Sequence, residues 1–558
     1  MQAIETRADY DSSKQEFVLT SPTPSSTKFM IGNVGVHGEI VVLMAQLYVA
    51  GERKGVHAFV VPLRATHDDA SLGVKRGDLL AGVDVGDVGL KSSWNEVDNA
   101  WIRFKGMRIP RENLLNRFAD VSADGQYHCS LPTQKKLFSA TMAQLLVGRI
   151  NYVGAPLLAL QIALSTSIRY SLSRRQFSLG ISQTETPIIQ YTTQYSVLMH
   201  TLAKTIALQF AKNSMISRFY SDKKDPELLA DYHATLSGLK AYVCEWAYVQ
   251  LGHLRVMCGG AGIILANGIG ALHNYFDVFQ TAEGDRTVLY QQLGKHIVST
   301  TAKRFAGTFG LLNFGLEVLG QQLIQLNPLL SLVEANQDED LTSPGFLLKA
   351  LEMRAKTTIR NVLSQMQNLT TAAKPLSPYD AWNACLPNII SASNAYLEHY
   401  VYKQCYDLIK EFEQRSPTDA SPTATATAAD SQKDSHKVTE EFSSTIEGSS
   451  ASVPTTNRKL ALDLVKDCLH TISAVAGLGF IKEDFGFYMR AGVFSSKRCD
   501  AIERAWMANC TKMRDNFIPL LLDSAEITPQ FIDAPQGAKD GDYVTQILKV
   551  MKPSQAKL

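Results

Sequence analysis

The sequence predicts a mainly α-helical protein with a small β domain, a barrel-type β domain being followed by two helical bundles. Three observations point there. Short apolar runs separated by turn residues fill residues 1–117, long Ala/Leu-rich stretches of helical period begin at about Thr133, and Ser343-Pro344 opens a second series of long amphipathic helices. At roughly 150 residues per domain, 558 residues also imply about three or four domains rather than one continuous core.

Taken in order, the β texture is carried by Glu16–Thr20, Ile40–Val49, His57–Leu63 and Ala100–Phe104, with glycines such as Gly51, Gly55, Gly86 and Gly89 at the turns. Pro110 breaks the last run because proline cannot donate to a ladder. The central helical domain is expected over 133–325. Thr141 to Phe177 and Pro226 to Val256 are its clearest helices, the second opened by Asp225-Pro226-Glu227, a cap, a first-turn proline and an acid for the helix dipole. An irregular segment of about thirty residues separates Cys258 from the helix that resumes at about Thr287, and a segment of that length inside a compact domain is usually functional. The third domain is expected over 341–545, with helices at Phe346 to Leu369, Tyr379 to Glu413 and Lys459 to Leu522. Residues 415–457 are rich in Ser, Thr, Ala and Pro and poor in large apolar side chains, which predicts a disordered insertion; residues 546–558 form a tail.

Composition narrows the function. Lys+Arg 55 against Asp+Glu 54 leaves a net charge of +1, which offers no field to hold nucleic acid. The 8 cysteines are scattered without a C-x-x-C pair, so they predict neither zinc nor a disulfide framework but buried thiols. No metal-like histidine cluster or G-x-S-x-G elbow occurs, and no transmembrane segment is expected, since a spanning helix needs about twenty apolar residues. The residues after Met1 show neither an apolar signal core nor an Arg-rich amphipathic helix. The last three, Ala556-Lys557-Leu558, are a conservative variant of the S-K-L address that the peroxisomal import receptor reads, or an ordinary frayed terminus.

Three constellations could carry chemistry. Cys258-Gly259-Gly260-Ala261-Gly262 suits either close backbone approach to a phosphate or ring, or a helix-terminating turn. Arg174-Arg175-Gln176-Phe177, one turn after Arg169-Tyr170, suits either a pyrophosphate or the C-terminal end of a helix dipole. Thr281-Ala282-Glu283-Gly284-Asp285-Arg286-Thr287 joins the irregular segment to the next helix. Glu283 there is either a general base raised by apolar Val278, Phe279 and Val288, or part of a capping segment in which Asp285 is the N-cap.

In chain order these residues resemble one family, the peroxisomal acyl-CoA oxidases, flavoenzymes of the acyl-CoA dehydrogenase superfamily. The blocks that carry the resemblance are Ala58-Phe-Val-Val-Pro62, Gly86-Asp-Val-Gly89 with Asp98-Asn99, Arg108-Ile-Pro-Arg-Glu-Asn-Leu-Leu115, Arg169 to Phe177, Cys258-Gly-Gly, and Glu283-Gly-Asp with Thr287-Val. The resemblance implies a homodimer with one FAD per subunit, acting on acyl-CoA and O₂ in the peroxisome. It gives Glu283 the role of catalytic base, removing the α-proton of the thioester while the β-hydrogen passes to the flavin. It places Gly32, in Ile31-Gly32-Asn33, against the flavin; Arg174, with Gln176 and Phe177, at the FAD pyrophosphate of the partner subunit; Gly259 and Gly260 near the adenosine half; and Arg169 and Tyr170 toward the substrate.

Against the family pattern the chain begins inside the β domain, so the resemblance implies that the N-terminal helical domain is missing. Ala261 and Ile263 replace the usual His and Tyr of C-G-G-H-G-Y, Ala282 replaces an aromatic residue, and Arg286 replaces an Asn. The alternative expectation is therefore a non-catalytic member that pairs with a full-length oxidase; an acyl-CoA dehydrogenase is the nearest enzymatic rival.

Overall fold

The computed structural model describes residues 3–68, 71, 73–142, 145–178, 184–222, 226–305, 340–414, 455–524, 534, 537, 542 and 544–545. It divides into two compact units, Met1–Gly148 and Arg149–Leu558.

In the first unit Arg7–Asp11 (β1), Glu16–Thr20 (β2), Lys28–Gly32 (β3), Ile40–Val49 (β4), Glu52–Pro62 (β5), Val83–Asp87 (β6) and Asn99–Pro110 (β7) form one sheet. The order is β3-β7-β2-β1-β4-β5, with β6 also on β7; β1 and β4 run parallel and the other pairs antiparallel. The β4–β5 hairpin turns on Ala50 and Gly51, both left-handed at φ +50° and +80°, as a two-residue hairpin matched to strand twist requires. Alternate residues of β7 (Ala100, Ile102, Phe104) join Phe17, Leu19, Leu43 and Phe59 in the core. Phe17 meets Phe59 edge-on at 5.1 Å. Each such buried side chain contributes about 2 kcal/mol. The ladder stops at Pro110, as expected, and Asn113 just beyond donates to the Val60 carbonyl at 2.8 Å. Strand structure nevertheless continues past 117: Ala119–Val121 (β8) and Tyr127–Cys129 (β9) make a hairpin tied to the sheet by Tyr10 Oη to Ala123 O (3.0 Å) and by Tyr127 to His57 (3.1 Å). Three-residue strands carry too little periodicity to be read in a sequence. Gln134–Met142 (α1) closes this unit.

The second unit is helical: Leu145–Ser173 (α2), Thr192–Asp222 (α3), Pro226–Met257 (α4), Ile269–Phe276 (α5), Arg286–Phe305 (α6), Pro344–Thr371 (α7), Pro378–Gln414 (α8), Thr455–Lys482 (α9), Phe485–Arg490 (α10) and Ser496–Ser524 (α11). The two predicted helical domains form one compact unit. Ser343 caps α7, its Oγ accepting from Phe346 N at 3.3 Å with Pro344 in the first turn. Of the predicted insertion, 415–454 lies outside the described residues, and Thr455–Asn457 already belong to α9. Two helical stretches, Val147–Ser173 and Leu460–Lys482, are long and apolar enough to cross a membrane by length and composition alone, a test that the core helices of a bundle also pass. Each buries one face against the bundle, where polar side chains bond to other helices: Ser167 Oγ to Leu254 O at 3.1 Å and Ser473 Oγ with Tyr402 Oη at 2.7 Å. Among the described residues no metal-ligand cluster occurs. Seven of the free cysteines are buried, whereas Cys129 is exposed.

Buried polar networks stitch the helices. Arg354 (α7) and Glu398 (α8) form an ion pair, each side chain under 5% exposed, and Glu398 also accepts from Tyr242 Oη of α4 (3.2 Å) and Asn394 Nδ2 (2.9 Å). Lys204 of α3 reaches Glu483 at 2.9 Å and lies 3.9 Å above the Trp246 ring. Burial pushes the Glu483 carboxyl up, but the Lys204 ammonium and His200 overcome this and hold it below its ordinary 4.5, at about 2. A depressed folded value means that this pair stabilises above pH 4.5 and that its contribution is lost as pH falls from 4.5 toward 2. The stability of Glu483→Gln should accordingly fall less steeply than that of the wild type over that interval, measured as urea midpoints at stepped pH.

Candidate active site

Glu283 occupies the turn between the short 3₁₀ stretch Asp277–Gln280 and α6. It is left-handed at φ +59°, and Gly284 follows at φ +106°. A non-glycine residue held in that region costs about 1 kcal/mol or more, and such strain persists where surrounding structure over-determines it. A side chain at Gly284 would be strained by that backbone angle, and its Cβ, 2.9 Å from Leu289 Cδ2, would also push the leucine aside. The turn is pinned on both sides. Lys240 Nζ of α4 donates to the Gly284 carbonyl at 2.7 Å, and Asp285 Oδ1 accepts from Thr287 N (2.9 Å) and Val288 N (3.1 Å), capping α6. The capping geometry is thus present and belongs to Asp285, leaving the half-buried Glu283 carboxylate outside the cap.

The surroundings of Glu283 are more charged than the sequence suggests. Its carboxylate acts electrostatically on Arg149, Tyr152 and Lys240, favouring the charged forms of the two bases against the burial that disfavours them. Arg149 is 6% exposed and donates to Ser237 Oγ (2.8 Å) and His233 Nε2 (3.2 Å). Burial and the Arg149 charge hold His233 down at about 4, so it is neutral and accepts that bond. Of the expected apolar flank, Phe279 is buried and its ring lies 4.7 Å from that of Tyr152, tilted by 47°, but Val288 is half-exposed. Arg286, where the family pattern has Asn, pairs with Glu245 and lies 5.2 Å over the Tyr290 ring.

A second cluster gathers at the far end of α4. Gln194 of α3 donates to Ser171 Oγ of α2 (2.9 Å) and to Met257 O of α4 (3.0 Å), so the turn after α2 and the loop after α4 are neighbours. That turn carries Arg174, Gln176 and Phe177; Phe177 is left-handed at φ +54° with its ring 71% exposed, and Gln176 is exposed. A bridge between Arg175 and Pro187, a bond from Gln176 N to Thr186 O (3.0 Å) and one from Thr186 N to Phe177 O (2.7 Å) close it. Over Gly259 and Gly260 a Cβ would meet nothing within 4 Å, so their backbone faces open space. Gly262 is the opposite: a Cβ there would lie 2.1 Å from the Arg255 carbonyl oxygen. Gly262→Ala is therefore expected to cost about 2 kcal/mol, measurable as a lower urea midpoint, because a backbone atom rather than a flexible side chain must give way. Ile263 and Leu265 beside it are 72% and 81% exposed.

Arg169 and Tyr170 do not open onto either cluster's surface. Both are buried, and Arg169 donates to the Gly537 carbonyl at 3.3 Å. In the first unit Gly32 ends β3, exposed and with open space above it, and Asn33 takes the turn at φ +63°. Ala556, Lys557 and Leu558 lie outside the described residues.

Comparison with known proteins decides the family. Residues 142–298 match the model of the acyl-CoA oxidase C-alpha1 domain, and residues 343–425 and 436–557 match the acyl-CoA oxidase model. The chain belongs to the acyl-CoA oxidase family. Acyl-coenzyme A oxidase 2, peroxisomal, of Arabidopsis thaliana is 36% identical over 74% of this chain and 59% of its own length. Peroxisomal acyl-coenzyme A oxidase 1 of Rattus norvegicus is 31% identical over 75% of this chain and 61% of its own. The chain thus spans about three fifths of these curated relatives. The crystal structure of acyl-CoA oxidase-1 of Caenorhabditis elegans, complexed with FAD and ATP, shares the fold with a TM-score of 0.76 at 24% identity, covering 98% of this chain and 72% of that one.

Within this acyl-CoA oxidase family member, sequence reasoning reached Glu283 and both glycine and arginine turns but missed Arg149, Tyr152 and Lys240. The available signal was a single cation interrupting an otherwise apolar helical run, as in Gly238-Leu-Lys240-Ala-Tyr-Val.

Proposed function

We propose that the chain is an FAD-dependent acyl-CoA oxidase that converts acyl-CoA and O₂ to trans-2-enoyl-CoA and hydrogen peroxide in peroxisomal fatty-acid β-oxidation. The observation that supports it most is the Glu283 carboxylate, which the sequence resemblance puts in the base position, held on a pinned left-handed turn beside buried cations.

In this reading Glu283 takes the α-proton as the α and β C–H bonds break and a trans double bond forms. The α-proton of a thioester is weakly acidic, so the carboxylate must meet it at hydrogen-bond distance in a fixed orientation, which the pinned turn provides. Bound FAD would supply the acceptor for the β-hydrogen and its electron pair and pass two electrons to O₂, which leaves as peroxide with two protons. Open backbone at Gly259 and Gly260, the exposed Phe177 ring and Arg174 fit a dinucleotide, the arginine suiting its pyrophosphate. Gly32, with open space above its backbone, fits a flat ring. Arg169 and Tyr170, being buried, are assigned to holding the end of α2 in place rather than to direct substrate contact.

From Lys240 to Met257 α4 rises about 25 Å. The two clusters are therefore farther apart than a flavin ring and its own pyrophosphate, and we assign them to two active sites of a homodimer. Exposed Phe177, Ile263 and Leu265 around the second cluster fit a surface that another subunit covers. The Ala556-Lys557-Leu558 ending supports import into the peroxisome, as do relatives named peroxisomal.

Purified protein supplied with FAD and acyl-CoA of graded chain length in air should release peroxide and enoyl-CoA in equal amounts. Flavin reduction without peroxide would indicate a dehydrogenase. Absence of flavin binding and turnover would overturn the oxidase reading and favour a non-catalytic partner subunit, a role that the departures at Ala261, Ala282 and Arg286 also suit.

A further inference from the structure

We propose that Lys240 is the positioning residue of the Glu283 turn, its ammonium clamping the Gly284 carbonyl so that two consecutive left-handed residues hold the carboxylate in one place. The inference rests on the reading of Glu283 as base and adds to it a residue two elements away.

Lys240 is 0% exposed, in the middle of α4. Burying an ammonium disfavours its charged form, and burial lowers its pKa. Such a residue is ordinarily matched by a carboxylate in an ion pair, yet among the described residues none stands within ion-pair distance of Nζ. Its hydrogen bond goes instead to a backbone carbonyl, that of Gly284 at 2.7 Å, with the Tyr152 ring 5.7 Å away.

The choice of carbonyl is informative. Gly284, at φ +106°, is the residue of the turn freest to leave its conformation, because glycine populates both hands of backbone space about equally. Rotation of the peptide plane between Gly284 and Asp285 would release the turn, and the clamp acts on the oxygen of that plane. The helix is built to bring the clamp there. At Gly238 a Cβ would stand 2.5 Å from Leu293 Cδ2 of α6 and 3.1 Å from Leu397 Cδ1 of α8, so the absent side chain permits the close approach that lets Lys240 reach the turn. Asp285 secures the far side through the α6 cap, and Lys240 secures the near side. The strain of the left-handed Glu283 is thereby held between two fixed points.

Two variants separate the clamp from folding. Lys240→Met removes charge and donor while keeping an unbranched stem one atom shorter; Lys240→Gln, of that same shorter length, keeps a donor. In amide hydrogen exchange of the full chain, Lys240→Met should speed exchange across 281–288 while the amides of α3 and α8 keep wild-type rates, and Lys240→Gln should recover much of the protection. With FAD and acyl-CoA, Lys240→Met should lower kcat by about 10- to 100-fold with KM nearly unchanged, since a displacement of about 1 Å in a reacting group costs that much. Unchanged exchange at 281–288, or loosened exchange with wild-type kcat, overturns the proposal. Glu283→Gln is the parallel arm: if it retains turnover, the base reading fails and positioning with it, whereas an inactive Glu283→Gln beside a fully active Lys240→Met removes the Lys240 claim alone. If the wild type itself does not turn over, the exchange arm decides whether Lys240 holds the turn.

Discussion

Glu283→Gln should lower the rate of enoyl-CoA formation by about 10²- to 10⁴-fold, the range a positioned general base contributes. The amide matches the carboxylate in size and can occupy the same left-handed turn, because the restraints on that turn act at Gly284 and Asp285 rather than at the Glu283 side chain. Flavin content and thermal midpoint should therefore stay close to wild type, so that the loss reads as chemistry. Glu283→Asp is the informative companion: it keeps the charge but withdraws it by one methylene, and an intermediate rate would show that reach matters as well as basicity.

The second large effect concerns stability. Glu398→Leu should destabilise the helical unit by about 3–5 kcal/mol, seen as a strongly lowered urea midpoint, because it leaves the buried Arg354 guanidinium without its carboxylate. Asp484, 3.6 Å from Arg354 Nε and 37% exposed, is a poor substitute. The same change removes the acceptor for Tyr242 Oη and Asn394 Nδ2. Replacing both partners, as Arg354→Met with Glu398→Leu, should recover much of the loss, since exchanging a whole buried pair for apolar side chains is often close to neutral. This network joins α4, α7 and α8, so its failure loosens the contact between the central and C-terminal helices.

The fold was legible where periodicity and punctuation agree. β2 and β4 match their apolar runs residue for residue, Pro110 ends β7, and Ser343-Pro344 opens α7. It was illegible where local composition opposes the structure. α5 lies inside the segment read as irregular, because Gly268 and Gly270 bracket its start, and α9 begins in a Thr-rich run that argues for no element. β8 and β9 are too short to show an alternation.

The candidate site divides in the same way. Glu283 and the glycine turns could be found because a family pattern marks them, but their positive backbone angles could not, since Glu283 and Phe177 are residues that avoid that region. The expected apolar wall around Glu283 was partly displaced by Arg149 and Lys240 for a related reason. A cation on a helix is read as a solvated face, and only the packing of α4 on α6 shows that Lys240 points inward to a backbone oxygen.

The central claim is that Glu283 removes the α-proton in the step that breaks both C–H bonds. It is tested most directly by anaerobic rapid mixing of the flavin-loaded protein with acyl-CoA and with its α,α-dideuterated form, following loss of flavin absorbance. Absorbance should fall several times more slowly with the deuterated substrate in the wild type and hardly at all in Glu283→Gln. Equal rates for the two substrates, or undiminished bleaching in Glu283→Gln, would contradict the account.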